Sequence, residues 1–139
     1  MSPLRPWMRY LLRFAGTFNL LAGLGMCALY HEGLHLLGYQ KQLGLPVQVM
    51  GVLVGLFGVG YHLVAGNPVE NRNILMLGFW SKAISSVFAV WYVIIRKITP
   101  WFVPVVFFAD VIYLPFFYVI LRELYAAARE SEPLRGGRS

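Results

Sequence analysis

Few side chains in this sequence can do acid–base, metal or hydrogen-bonding chemistry, and their spacing sorts them into three groups. The first is His31-Glu32-Gly33-Leu34-His35, which reads H-E-x-x-H. On a helix the two histidines share one face, where they can hold Zn²⁺ while Glu32 polarises a water. A catalytic zinc needs a third protein ligand, and the neighbouring sequence supplies no other His or acidic residue. Gly33 and Gly38 also weaken a local helix. The segment therefore reads as a solvated interfacial loop, with zinc at His31, Glu32 and His35 as the metal-binding alternative, and no cofactor is otherwise expected. The second group is Lys82 and Asp110, an amine and a carboxylate set inside separate apolar runs. Such groups form an ion pair, relay a proton or hold a polar headgroup. The third is Asn19 and His62, each a lone hydrogen-bonding group on an apolar segment.

The composition says what must position them. Of 139 residues, 58% are hydrophobic and only 13% are charged, about half the charge a soluble domain normally carries. Too little polar surface remains to coat a water-facing globule, so the lipid bilayer is the expected solvent. The same figures exclude a disordered chain, a collagen-like chain and a soluble multidomain enzyme. The single cysteine, Cys27, excludes an intramolecular disulfide and a cysteine-based zinc cluster.

Crossing ~30 Å of hydrocarbon at ~1.5 Å per residue takes about 20 apolar residues. Four such runs are present, at about 14–30, 47–65, 74–95 and 101–121, and the first continues as a membrane-surface helix toward Leu37. Leu45-Pro46, Gly66-Asn67-Pro68 and Thr99-Pro100 supply the turns between them. The expected fold is all-α: an integral membrane four-helix bundle over residues 1–125, up-down-up-down, with both termini on one side. The polar segment 126–139 is expected to be a disordered tail. The first run exceeds a signal-peptide core and no small-residue cleavage site follows it, so it is read as a span.

Twelve Lys and Arg against six Asp and Glu give a net charge of +6. The cations cluster at the chain ends beside apolar runs instead of forming one amphipathic stripe, so nucleic acid is not the expected partner. Arg5, Arg9, Arg13, Arg72, Arg122, Arg129, Arg135 and Arg138 fall on the side of the termini; Lys41, Arg96 and Lys97 fall on the other. Eight against three places both termini in the cytoplasm of a bacterial inner membrane.

Small residues line faces of the first two spans. Ala15, Asn19, Gly23 and Cys27 recur every four positions, and Gln48, Gly51, Gly55, Gly58 and His62 every three or four. Such faces let helix backbones approach closely in lipid, within the chain or between copies; Gly78 continues the pattern in the third span. Lys82 lies ~13 Å into the third span from one end, and Asp110 ~13 Å into the fourth from the other. In a ~30 Å core their levels agree within a helical turn. A charge at a span centre costs about 2.5–3.5 kcal/mol on insertion scales, so the two are expected to pair, with Ser85 and Tyr113 extending the polar patch. Asn19 and His62 share a depth and are expected to be able to face each other.

The order Gln48, Met50-Gly51, Gly58-Val59-Gly60-Tyr61, Asn67-Pro68, Gly78 with Lys82, and Asp110 with Pro115-Phe116 resembles small bacterial four-span membrane proteins near the DoxX-like group. The resemblance covers about residues 12 to 124. It implies an accessory role beside membrane redox systems, and H-E-x-x-H is not part of its pattern. The functional expectation is a non-catalytic accessory or assembly component of an inner-membrane complex, in contact with lipid and with a membrane-protein partner or a second copy. The alternatives are a small transporter or lipid binder using Lys82 and Asp110, and a zinc-dependent membrane hydrolase using the H-E-x-x-H segment.

Overall fold

A computed structural model describes residues 3–38 and 44–131, and among them it contains helices and turns but no strand. The elements are α1 (Pro6–Ala28), α2 (Tyr30–Leu36), α3 (Gly44–Gly66), α4 (Arg72–Ile94), α5 (Phe102–Ala109), a 3₁₀ turn (Val111–Tyr113) and α6 (Leu114–Ser131). Four helical segments are long and apolar enough to cross a membrane: α1, α3, α4 and the run Phe102–Ser131. The chain is thus an all-helical protein with the elements of a four-helix membrane bundle.

Local chemistry sets most of the boundaries. Pro6 opens α1, where its missing N–H has no partner to lose. The α1 helix begins eight residues before the apolar run does, because Arg5, Arg9 and Arg13 recur on one side and leave Met8 and Leu12 free to bury on another. The Asn71 side-chain amide donates to the Leu63 and Asn67 carbonyls, at 3.2 and 3.0 Å, and satisfies the end of α3. Residues 126–131, expected as disordered tail, are helical instead. Ala126, Ala127 and Ala128 are strong helix formers, and Arg129 in the last turn complements the helix dipole. The rest of that segment, and Lys41, lie outside the described residues.

The fourth span is broken in the middle. Pro115 lacks the N–H that Val111 would accept in a continuous helix, and its ring crowds that turn. Asp110 accordingly leaves helical geometry (φ −128°, ψ −59°), and the Tyr113 N–H donates to the Asp110 carbonyl at 3.2 Å in a tighter turn. The apolar run at 101–121 predicts one uninterrupted span, which the structure divides at Asp110.

Packing is one-sided. The core joins Met8, Leu12 and Ala15 of α1, Tyr61, Val64 and Ala65 of α3, Leu75 of α4, and Phe117, Ile120 and Leu124 of α6, almost all without any exposure. These residues sit toward the end at which α1 starts and α3 finishes. Arg5 and Glu123, 3.3 Å apart, mark the start of α1 beside the middle of α6. Toward the other end, α1 and α3 stay in contact along their length, whereas α4 and α5 carry mostly exposed apolar side chains.

Candidate functional site: a buried lysine at a helix break

The close approach of α1 to α3 comes from glycine. A Cβ on Gly23 would lie 2.5 Å from the Gly51 carbonyl oxygen and 2.8 Å from the Gly55 nitrogen; one on Gly58 would lie 2.7 Å from the Gly16 carbonyl. The pairing of 23 with 51 and of 16 with 58 makes the two helices antiparallel. Ala15 is buried in the adjoining core. Gly55 has open space where its own side chain would be, so it gives Gly23 room without itself requiring small size. Two side chains tie the same interface. Gln48 Nε2 donates to the Cys27 carbonyl at 3.1 Å, and His62 Nε2 lies 3.3 Å from Thr17 Oγ1. His62 thus pairs with Thr17, while Asn19 is buried nearby on α1. Gly16 and Thr17 were not singled out from the sequence, although Gly16 stands two helical turns before Gly23.

Against this paired wall, α4 brings Gly78, Lys82 and Ser86 to one buried stripe. Gly78 admits the Tyr61 ring of α3, whose hydroxyl would be 2.5 Å from a Cβ at that position. One turn further, Lys82 is 6% exposed and its ammonium is held by two acceptors. Nζ donates to Asp110 Oδ1 and to the Ala109 carbonyl, both at 2.8 Å. The second acceptor exists because of the break: with the Tyr113 N–H diverted to Asp110, the Ala109 carbonyl has lost its helical donor. Lys82 Nζ also lies 5.2 Å from the centre of the Tyr113 ring, close enough for cation–π attraction. Ser86 Oγ donates to the Lys82 carbonyl at 2.7 Å.

Tyr61 and Phe117 meet edge-on and Phe117 and Tyr113 tilted, with centroids 5.0 and 5.7 Å apart, and the Phe18 ring of α1 lies 6.2 Å from that of Tyr113. The ammonium is therefore almost fully desolvated and compensated by charge, by a backbone dipole and by an aromatic face. Asp110 keeps 24% of its side chain exposed; its Oδ2 has no hydrogen bond among the described residues and remains a free acceptor. Ser85 is exposed and lies away from this cluster. The roles of the Ala109 carbonyl and of Tyr61 were not read from sequence; Pro115 was the signal for the first, and the seat of the Tyr61 ring against Gly78 depends on helix azimuth.

The H-E-x-x-H segment forms α2, a helix of seven residues with His31, Glu32 and His35 exposed. Among the described residues no three His, Cys, Asp or Glu side chains converge into a metal-binding group. Compared with models of protein families, with curated proteins and with solved structures, the chain has no significant match.

Proposed function

We propose that the protein is a multi-pass membrane component with a non-catalytic accessory or assembly role, engaging a partner membrane protein or a second copy through the sides of its bundle. The observation that carries this reading is the one-sided core. The half of α4 beyond Lys82 exposes Ile84, Val87, Phe88 and Trp91, and its last buried residue is Ser86. In lipid, helices associate through such packing surfaces and through interhelical hydrogen bonds. The ion pair fits the same role, because Lys82 is fully engaged in fixing α4 against the broken span. The resemblance to DoxX-like proteins favours an accessory subunit. The eight-to-three distribution of cations favours cytoplasmic termini in a bacterial inner membrane. Gentle detergent extraction followed by mass spectrometry of the intact particle tests this: a larger stoichiometric complex or a homo-oligomer is expected, and a lone monomer carrying no partner overturns the reading.

The free Oδ2 of Asp110 favours one second reading, a polar binding or transport site near mid-span. Carboxylates within membrane spans mark such pathways. Asp110→Asn tests it in reconstituted vesicles: this reading requires loss of ligand binding or flux with the fold intact.

A further inference from the structure

Beyond the Lys82–Asp110 pair, α4 and α5 enclose a cavity of about 140 Å³ walled by Ala89, Val93, Val103, Val106 and Phe107, all of them hydrocarbon surfaces. Val93 also lines a second hollow of about 390 Å³ at the end of α4, which is bordered by Arg96, Lys97 and Pro100. The two hollows meet at Val93 and make one furrow with an apolar floor and a cationic mouth. From Arg96 to the level of Ala89 it spans about 10 Å along α4.

We infer that this furrow holds one acyl chain of an anionic membrane lipid, with the lipid headgroup on Arg96 and Lys97. Three observations carry the assignment. The walls offer dispersion contacts and no hydrogen-bonding group, and an unfilled cleft of this kind forfeits those contacts whereas a flexible chain restores them. The mouth is positive and uncompensated: no Asp or Glu occurs between residues 83 and 109, and neither cation has a salt bridge among the described residues. The turn that carries the cations is fixed. The Lys97 N–H donates to the Tyr92 carbonyl at 2.9 Å and the Arg96 N–H to the Val93 carbonyl at 3.0 Å, the double closure of a Schellman end. Arg96 takes φ +56° there, a conformation that glycine adopts more easily; the chain places a guanidinium at a position where backbone strain favours no side chain. Trp101, 77% exposed beside the mouth, is suited to the headgroup level.

The test uses the full chain in nanodiscs of phosphatidylcholine, titrated with palmitoyl-oleoyl-phosphatidylglycerol and analysed by native mass spectrometry. One phosphatidylglycerol per chain is expected to be retained at least tenfold more tightly than phosphatidylcholine of the same chains. Arg96→Gly with Lys97→Gln preserves the α4 turn and is expected to weaken retention roughly thirtyfold, from about fivefold per cation near a membrane surface. Ala89→Phe fills the furrow and is expected to abolish retention with both cations present. Equal retention of the two lipids, unchanged retention in the double variant, or unchanged retention in Ala89→Phe would each overturn the assignment. Displacement by millimolar inorganic phosphate would do so as well, by reducing the site to a headgroup contact without a chain.

Discussion

The glycines between α1 and α3 allow a sharp test, because two positions that look alike in sequence should respond in opposite ways. In Gly23→Ala the new methyl would sit 2.5 Å from the Gly51 carbonyl oxygen and 2.8 and 3.0 Å from Gly55 main-chain atoms. None of these can rotate aside. Ordinary contact begins at 3.4 Å, so the helices must separate by about 0.9 Å at this level, where a gap of 0.5–1 Å already forfeits a quarter to a half of each dispersion contact. Overpacking of this kind costs about 1–3 kcal/mol, and the loss of main-chain proximity puts Gly23→Ala toward the upper end, about 2–3 kcal/mol. In Gly55→Ala the methyl meets nothing within 4 Å, and exchanging glycine for alanine inside a helix favours the helix by up to about 1 kcal/mol. Reversible unfolding in mixed SDS micelles, followed by helix signal and tryptophan fluorescence, measures both. The reasoning is refuted if Gly23→Ala lies within about 0.5 kcal/mol of the parent, or if Gly55→Ala is as damaging as Gly23→Ala.

Further outcomes follow from the ion pair and the turns. Lys82→Met leaves Asp110 without its counter-charge and is expected to cost about 3–5 kcal/mol in the same unfolding assay, whereas Lys82→Met with Asp110→Leu costs far less; equal damage in single and double variants would deny the pairing any energetic role. Pro115→Ala restores a donor to Val111 and lets the Tyr113 N–H return to the Ala109 carbonyl, removing one of the two Lys82 acceptors. A double-mutant cycle between Pro115→Ala and Lys82→Met should then show coupling of about 1.5–3 kcal/mol, and additive effects would mean that the break does not support the lysine. Arg96→Gly relieves the positive φ and is expected to raise stability by about 1 kcal/mol, read as a shift of the unfolding midpoint; a fall would mean that the guanidinium stabilises the fold more than its backbone strain costs.

The four apolar segments were legible because length and hydropathy are all that crossing a bilayer demands. The ends of α1 and α6 were not, since a helix continues into polar surroundings wherever capping and propensity permit, as at Ala126 to Ser131. Depth counting brought Lys82 and Asp110 to one level, because rise per residue is nearly constant in a helix. It could not assign azimuth, which is why His62 meets Thr17 in place of Asn19 and why Gly51 and Gly55, in one G-x-x-x-G, play different parts. The break at Asp110 was announced only by Pro115, and an apolar count is blind to it. Its main result, a backbone carbonyl turned acceptor for Lys82, leaves no trace in side-chain types.

The placement of the core at one end has a mechanical consequence. Among the long helices, α4 is the one built as a lever. On α4 the last buried residue is Ser86, leaving 8 residues to Ile94, about 12 Å of arm beyond it. A tilt of about 5° at that fulcrum would carry the tip through about 1 Å, whereas α1 and α3 are zipped together by glycine. Bending of α4 is therefore expected at one rim, beyond Ser86.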